Sequence, residues 1–261
     1  MDTKFLFFDI DGTLWDEYNR IPESTVSAIR AARKNGHKAF INSGRTRAFI
    51  QNPDLLGIGF DGIVSGCGTM IEYQDDILEY YSMEPDYAGM VIQTVRSFGF
   101  RPVLEGRHYL YIDDEDFANE PYGKKLKRDL GERLLSISGN WGEWEISKLS
   151  CATKPNEHSG CMEALKDNFD FMIHSPAVVE MAPKGYSKGG AIEQLCRIFK
   201  IDKSDTIAFG DSTNDLSMLE AAGTAVVMGN GSDIAKNAAD LVTDHLHDDG
   251  IMNACRKLSL I

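Results

Sequence analysis

Residues 4–14 of this chain read Lys4-Phe5-Leu6-Phe7-Phe8-Asp9-Ile10-Asp11-Gly12-Thr13-Leu14. The apolar run that ends at Phe8 predicts a strand buried on both faces, as in a parallel sheet covered by helices. Asp9 and Asp11 then follow directly after its carboxyl end. Since ligands of open α/β sheets bind at the carboxyl ends of the strands, both carboxylates are candidates for a functional site. An isolated Asp-x-Asp-Gly stretch is also typical of an Asx turn that only ends a strand.

Strands and helices alternate on both sides of a long middle segment. A helix capped by Ser24 is predicted over 24–35, and another helix is predicted to open at Ser43-Gly44-Arg45. The further predicted helices cover 189–199 and 216–222, and the strands cover 38–42, 61–65, 206–209 and 224–228. This alternation predicts an α/β fold with a Rossmann-like, doubly wound parallel sheet.

The pattern changes within the middle segment. Strand-like stretches, several of which alternate apolar and polar residues, lie at 109–112, 143–150, 169–173 and 178–181, with helices near 86–98, 121–135 and 157–168. Such alternation is typical of half-buried antiparallel strands. We therefore predict an inserted α+β domain over 84–183, while residues 1–83 and 184–261 form the core domain.

The composition of the chain indicates which kinds of partner and which cellular compartment are expected. The chain has 40 acidic and 27 basic residues, a net charge of −13, which disfavours nucleic acid and anionic membrane surfaces but not a small anion. No apolar run approaches the ~18 residues that a membrane span needs, and the N-terminus does not resemble a signal peptide. Five widely spaced cysteines without a Cys-x-x-Cys pair predict free thiols in a cytoplasmic protein.

A second acidic group follows the predicted strand at 206–209. It comprises Asp211, Asn214 and Asp215, at the same edge of the predicted sheet as Asp9. Carboxylates placed together repel one another unless a cation neutralises them. Oxygen ligands from two strands, without histidine or cysteine nearby, favour Mg²⁺, and Mg²⁺ in turn suits a phosphate substrate.

Four stretches in order resemble the motifs of the haloacid dehalogenase-like (HAD) phosphatases. They are residues 7–14, Asn42-Ser43-Gly44-Arg45, Lys188-Gly189 and Gly210-Asp211-Ser212-Thr213-Asn214-Asp215. Residues 228–231 and 239–251 resemble the C-terminal stretch of the Cof-type subfamily, which also carries an inserted α+β domain between the second and third motifs. The resemblance covers essentially the whole chain, and it implies that the inserted domain selects the substrate.

This resemblance implies a role for each matched residue. Asp9 is implied as the nucleophile that forms an aspartyl-phosphate, and Asp11 as the general acid and then general base. Mg²⁺ is implied on the Asp9 and Asp211 carboxylates and the Asp11 backbone carbonyl. The implied phosphate-binding residues are Asp9, Ser43, Gly44, Lys188 and Asn214, with Lys188 also catalytic, and Thr13, Arg45 and Asp215 are implied in supporting roles.

The sequence thus predicts a Mg²⁺-dependent phosphatase that hydrolyses small organic phosphate monoesters, such as sugar phosphates or phosphorylated cofactors. Two alternatives stay open: a phosphomutase of the same superfamily, or a non-catalytic regulator that binds a phosphorylated metabolite. Some residues also have a second interpretation. Ser43 is a candidate helix N-cap, Arg45 a candidate surface residue, and Trp141 and Trp144 either pack in the core or line a pocket.

Overall fold

The computed structural model describes residues 2–74, 76–117 and 121–261. The chain forms two compact units. The first unit comprises Met1–Gly44, Gln51–Glu79 and Tyr186–Ile261, and the second comprises Arg45–Ile50 and Tyr80–Gly185. The predicted insert at 84–183 falls within the second unit, which also includes the short segment at 45–50. Its predicted role in choosing substrates stays a prediction.

The elements follow in chain order. The strands are β1 (Phe5–Phe8), β2 (Lys38–Asn42), β3 (Gly62–Ser65), β4 (Met70–Tyr73), β5 (Asp76–Tyr80), β6 (Arg101–Glu105), β7 (Leu110–Ile112), β8 (Leu134–Ser136), β9 (Lys148–Ala152), β10 (Phe169–Ser175), β11 (Val178–Pro183), β12 (Thr206–Gly210), β13 (Thr224–Val227) and β14 (Leu241–Val242). The α-helices are α1 (Glu23–Lys34), α2 (Pro53–Leu56), α3 (Pro85–Ser97), α4 (Asp114–Phe117), α5 (Pro121–Leu130), α6 (Ser159–Leu165), α7 (Lys188–Phe199), α8 (Leu216–Ala221), α9 (Asp233–Asn237) and α10 (Gly250–Lys257).

The first unit is built on a sheet with the order β14-β13-β12-β1-β2-β3-β4-β5. From β14 to β3 neighbouring strands are parallel, and β4 pairs antiparallel with β3. All four residues of β1 are buried, as its apolar run predicts. Phe5 and Phe7 pack in one cluster with Ile192 of α7 and Met218 of α8. The α/β fold with a parallel sheet is thereby confirmed, and β1 lies near its centre.

The second unit contains a six-stranded sheet with the order β10-β11-β9-β6-β7-β8. Its pairs are antiparallel except for β7 with β8, which are parallel. Val91 and Val95 of α3 are buried in one cluster with Leu104, Leu149 and Met181 of the sheet. The sequence therefore indicated the mixed α+β character of this segment correctly.

Several local predictions are wrong. No helix begins at Ser43, because the backbone there bonds to distant residues: Ser43 N donates to the Val64 carbonyl, and Cys67 N donates to the Ser43 carbonyl. Ser43 is consequently not a helix N-cap. Helix α1 begins at Glu23 after Pro22, so Ser24 is not its cap either. Residues 143–147, predicted as strand, are not part of β9, which begins at Lys148, although Ser147 N donates to the Glu105 carbonyl of β6 at 2.9 Å.

The two tryptophans with open interpretations differ in exposure. Trp144 is buried at 3% exposure and donates from Nε1 to the Ile137 carbonyl at 3.1 Å, so it belongs to the core. Trp141 is 49% exposed. All five cysteines have free thiols, as predicted. Over the described ranges, the helices lack the combination of length and apolar character that a bilayer crossing requires.

Candidate active site

Asp9 lies immediately past the carboxyl end of β1. Its backbone N–H donates to the Phe209 carbonyl of β12 at 2.9 Å, which extends the parallel pairing one residue beyond the strand. The chain then turns tightly, with Leu14 N donating to the Ile10 carbonyl and Gly12 N to the Trp15 carbonyl, both at 2.9 Å. The Asp9 side chain is almost completely buried.

Gly12 has a structural reason to be glycine. Its φ is +81°, a left-handed conformation that other residues adopt with strain, and a Cβ there would lie 2.4 Å from Asp211 Oδ2. The turn that carries Asp9 and the loop that carries Asp211 therefore approach each other only because this position lacks a side chain.

We expect Gly12→Ala to lower stability by about 1–3 kcal/mol and to reduce activity, because the new methyl group must displace Asp211. Gly36→Ala is the matched control: its φ is +96°, but a Cβ there meets nothing within 4 Å. Urea unfolding and phosphate release are measured for both variants. Equal activity in the two variants would contradict the idea that contact with Asp211 matters.

Lys188 is the first residue of α7, whose N-cap Ser187 accepts from Gly190 N at 2.9 Å. Asn42 at the end of β2 donates from Nδ2 to the Lys188 carbonyl at 3.0 Å. The Lys188 ammonium is buried and lies 2.6 Å from Asp9 Oδ1 and 2.7 Å from Asp215 Oδ1. Burial opposes its charge, but the two carboxylates outweigh burial and raise the pKa of Lys188 above its usual range.

The loop after β12 carries the second acidic group. Asp215 is fully buried and uses both carboxylate oxygens within the protein. Oδ1 accepts from Lys188, while Oδ2 accepts from Asp211 N at 2.9 Å and from Ser212 N at 3.0 Å. Asp215 therefore fixes the loop and Lys188 at once. Gly210 allows this approach, since a Cβ there would lie 2.7 Å from the Asp215 carboxylate.

Three carboxylates meet at this edge of the sheet. Asp9, Asp211 and Asp215 each place one oxygen within 4.8 Å of the others. Burial and then Asp215 raise the pKa of Asp211 to about 7, against the opposing effect of Lys188. Burial and then Asp215 also raise the pKa of Asp9 well above its usual range. Among the described residues, the three carboxylates outnumber the one ammonium, that of Lys188, that pairs with them, so their oxygen donors fit a hard divalent cation.

The other predicted residues take different places. Thr13 is fully buried and donates from Oγ1 to Asp211 Oδ1 at 3.3 Å, and Asn214 Oδ1 accepts from Ser212 Oγ at 2.5 Å. Asp11 is exposed. Ser43 and Gly44 directly follow β2, the strand beside β1.

Arg45 belongs to the second unit, where its guanidinium carbon lies 5.8 Å from the centre of the Phe49 ring. Its supporting role stays a prediction.

Two further residues hold the site, and sequence reasoning assigned neither of them a role there. Asn230 donates from Nδ2 to the Gly12 carbonyl at 2.7 Å and accepts from Leu246 N at 2.9 Å. Ser232 N donates to the Asp211 carbonyl at 2.8 Å. The segment 228–232 thus forms hydrogen bonds both to the turn that follows Asp9 and to the loop that carries Asp211. The match of residues 228–231 to the Cof-type pattern is the signal that pointed to this segment.

A Rossmann-like core with buried carboxylates around one lysine at the carboxyl ends of adjacent strands defines a class of hydrolase. The chain belongs to the haloacid dehalogenase-like hydrolase family, whose model matches residues 6–255, and it is of the Cof type. It is 32% identical over 265 residues to "Putative phosphatase YkrA" of Bacillus subtilis (strain 168), with both chains covered completely.

Two other proteins extend the comparison. The chain is 26% identical over 273 residues to the 5-amino-6-(5-phospho-D-ribitylamino)uracil phosphatase YitU of the same organism, and the alignment covers 96% of each chain. The solved structure of the HAD subclass IIB sugar phosphatase BT4131 has a TM-score of 0.84 and 28% identity, covering 99% of this chain and 100% of that one. The family and these relatives identify the chain as a phosphatase.

Proposed function

We propose that the chain hydrolyses small organic phosphate monoesters, such as sugar phosphates or phosphorylated cofactors, with Mg²⁺ and through an aspartyl-phosphate on Asp9. The observation that carries the proposal is the placement of Asp9, 2.6 Å from the Lys188 ammonium and within 4.8 Å of the Asp211 carboxylate. A buried carboxylate held beside a buried cation is placed to attack a phosphate whose charge that cation partly balances.

The chain's own residues suggest how the reaction proceeds. Lys188 donates to Asp9 Oδ1, which leaves Oδ2 as the oxygen that bonds to phosphorus while the bond to the leaving-group oxygen breaks. Asp11 gives that oxygen a proton, and then takes a proton from the water that hydrolyses the acyl phosphate. The Ser43 hydroxyl and the Gly44 N–H donate to the phosphoryl oxygens, and Asn214 supports the same group.

The metal has a defined place in this proposal. Asp9, Asp211 and the Asp11 backbone carbonyl would hold Mg²⁺, which supplies positive charge against the phosphate and the nucleophile. Asp215 is not a ligand in this scheme because Lys188 and two backbone N–H groups occupy its oxygens. The free thiols of all five cysteines support a reducing compartment, the cytoplasm, as the place of action.

A phosphate-release screen tests the proposal. The panel includes sugar phosphates, nucleotides, flavin mononucleotide and pyridoxal phosphate, each with Mg²⁺, and the sugar phosphatase and the uracil-derivative phosphatase named above motivate the first choices. We expect free phosphate from one group of small esters. Return of phosphate to an isomeric sugar, without release, would instead identify a mutase. Substitutions of exposed side chains in residues 84–183 are expected to change the ranking of substrates, whereas substitutions in the buried core of that segment are not.

We expect EDTA to abolish activity, Mg²⁺ to restore it, and Asp211→Asn to raise the Mg²⁺ concentration needed for half-maximal activity by about tenfold or more. The amide retains the shape of the side chain but lacks its charge. Asp233→Asn, an exposed carboxylate in α9, is the matched control and keeps the wild-type Mg²⁺ dependence. Full activity of the wild type in chelator would exclude the metal site.

A further inference from the structure

Trp15 lies on the same turn as Asp11 and is buried at 3% exposure. Its indole Nε1 donates to Asp11 Oδ1 at 2.9 Å. The backbone of the turn fixes this arrangement, because Trp15 N donates to the Ile10 carbonyl at 3.1 Å and the Trp15 carbonyl accepts from Gly12 N. The indole is thus held by the fold on one side and contacts an exposed carboxylate on the other.

The chemistry of the indole decides what this contact does. An indole N–H donates a hydrogen bond and cannot accept one, so Asp11 Oδ1 must act as an acceptor in both charge states of the carboxyl group. Because the carbonyl oxygen of a carboxylic acid is a stronger acceptor than its hydroxyl oxygen, this bond favours a carboxyl proton on Oδ2. The same bond selects one rotamer of a side chain that is otherwise exposed.

We propose that Trp15 is the positioning residue for the general acid, holding Asp11 with Oδ2 as the oxygen that gives the proton to the leaving group. The inference rests on the proposed function of Asp11 as acid and base. Trp15 acts through Asp11 and does not touch the reacting atoms. Its effect is therefore greatest where proton donation matters most, which is with leaving groups that are poor as anions.

The test is Trp15→Phe, which keeps an aromatic ring in the buried position and removes the N–H. Trp144→Phe is the matched control, because Trp144 is equally buried at 3% and donates its N–H to a backbone carbonyl in the second unit. Single-turnover transfer of phosphate to the enzyme is measured with glycerol 2-phosphate, whose leaving group is an alkoxide, and with p-nitrophenyl phosphate, whose leaving group needs little protonation.

For Trp15→Phe we expect transfer from glycerol 2-phosphate to slow by about tenfold, within the range associated with the loss of one hydrogen bond, and transfer from p-nitrophenyl phosphate to slow by less than about threefold. Trp144→Phe should leave both rates within about twofold of the wild type. Equal slowing of both substrates by Trp15→Phe, or no slowing of either, would overturn the assignment, since packing alone does not depend on the leaving group.

A second measurement tests the contact even if Trp15→Phe does not fold. The indole ¹H–¹⁵N signals of the three tryptophans are compared between the wild type and Asp11→Ala. We expect the Trp15 signal to move and to exchange faster with water, and the Trp144 signal to stay in place. An unmoved Trp15 signal refutes the contact. If the wild type forms no phosphoenzyme at all, the proposed function fails, and the indole spectrum still tests the contact itself.

Discussion

Asp9→Asn is expected to lower kcat by about 10⁴-fold or more, because an amide does not attack phosphorus. The fold should survive. Burial raises the pKa of the Asp9 carboxyl, so the metal-free protein already holds this group at a cost when it is charged, and a neutral amide removes that cost. The Tm of the metal-free variant should therefore equal or exceed that of the wild type, while activity is lost.

Asp205→Asn is the control for this prediction. Its carboxylate pairs with Lys4 at 2.6 Å at the surface of the first unit, so its loss costs little stability and leaves kcat within about twofold. Rapid acid quench and mass spectrometry should find the added phosphoryl group on Asp9 of the wild type and not on Asp9→Asn. Substantial turnover by a verified Asp9→Asn sample is incompatible with the proposed nucleophile.

The close approach of Asp9 and Asp211 could be predicted from the sequence, because the prediction requires only two general rules. Apolar runs placed strands before Asp9 and before Asp211, and carboxyl ends of parallel neighbours lie at one edge of a sheet. The structure indeed pairs β1 with β12. These rules do not predict that Lys188 lies beside the two carboxylates. Only its place in the order of motifs distinguished it from an ordinary solvated lysine.

Features that depend on distant partners could not be predicted. The backbone at Ser43 bonds to Val64 and Cys67, and a helix-opening pattern carries no information about those residues. Lys148 illustrates the same limit in the second unit. It is 2% exposed between Glu180 at 2.9 Å and Glu105 at 3.7 Å, which belong to different strands. Isolated in the sequence, each of these charges predicts an exposed side chain.

The contact of Trp15 with Asp11 could be predicted only in part. The two residues are four apart, so the contact is local, but a tryptophan after an apolar stretch predicts only core packing. The tight turn at Gly12 brings the indole N–H of Trp15 back to the Asp11 carboxylate. This turn depends on the positive φ of Gly12. Residue type, spacing and backbone conformation are all needed before the hydrogen bond can be inferred.

Lys188→Met is expected to cost about 3–5 kcal/mol of stability in the metal-free protein and to lower kcat by about 10²–10³-fold. The side chain that replaces it fills similar space but leaves Asp9 and Asp215 buried without their shared cation. Because the two carboxylates raise the pKa of Lys188, the ammonium stays charged, and the stability it contributes is present, throughout the pH range below the usual lysine pKa of about 10.4.

The double variant Lys188→Met with Asp215→Asn separates the two effects of this lysine. The amide at residue 215 still offers an oxygen to Asp211 N and Ser212 N, and it removes one of the two carboxylates that lost their partner. We expect it to recover stability, measured by urea unfolding, because less uncompensated charge is buried. Activity should stay low, because the cation beside Asp9, the proposed nucleophile, is still absent. If the double variant regains activity together with stability, Lys188 serves the fold alone and has no part in phosphoryl transfer.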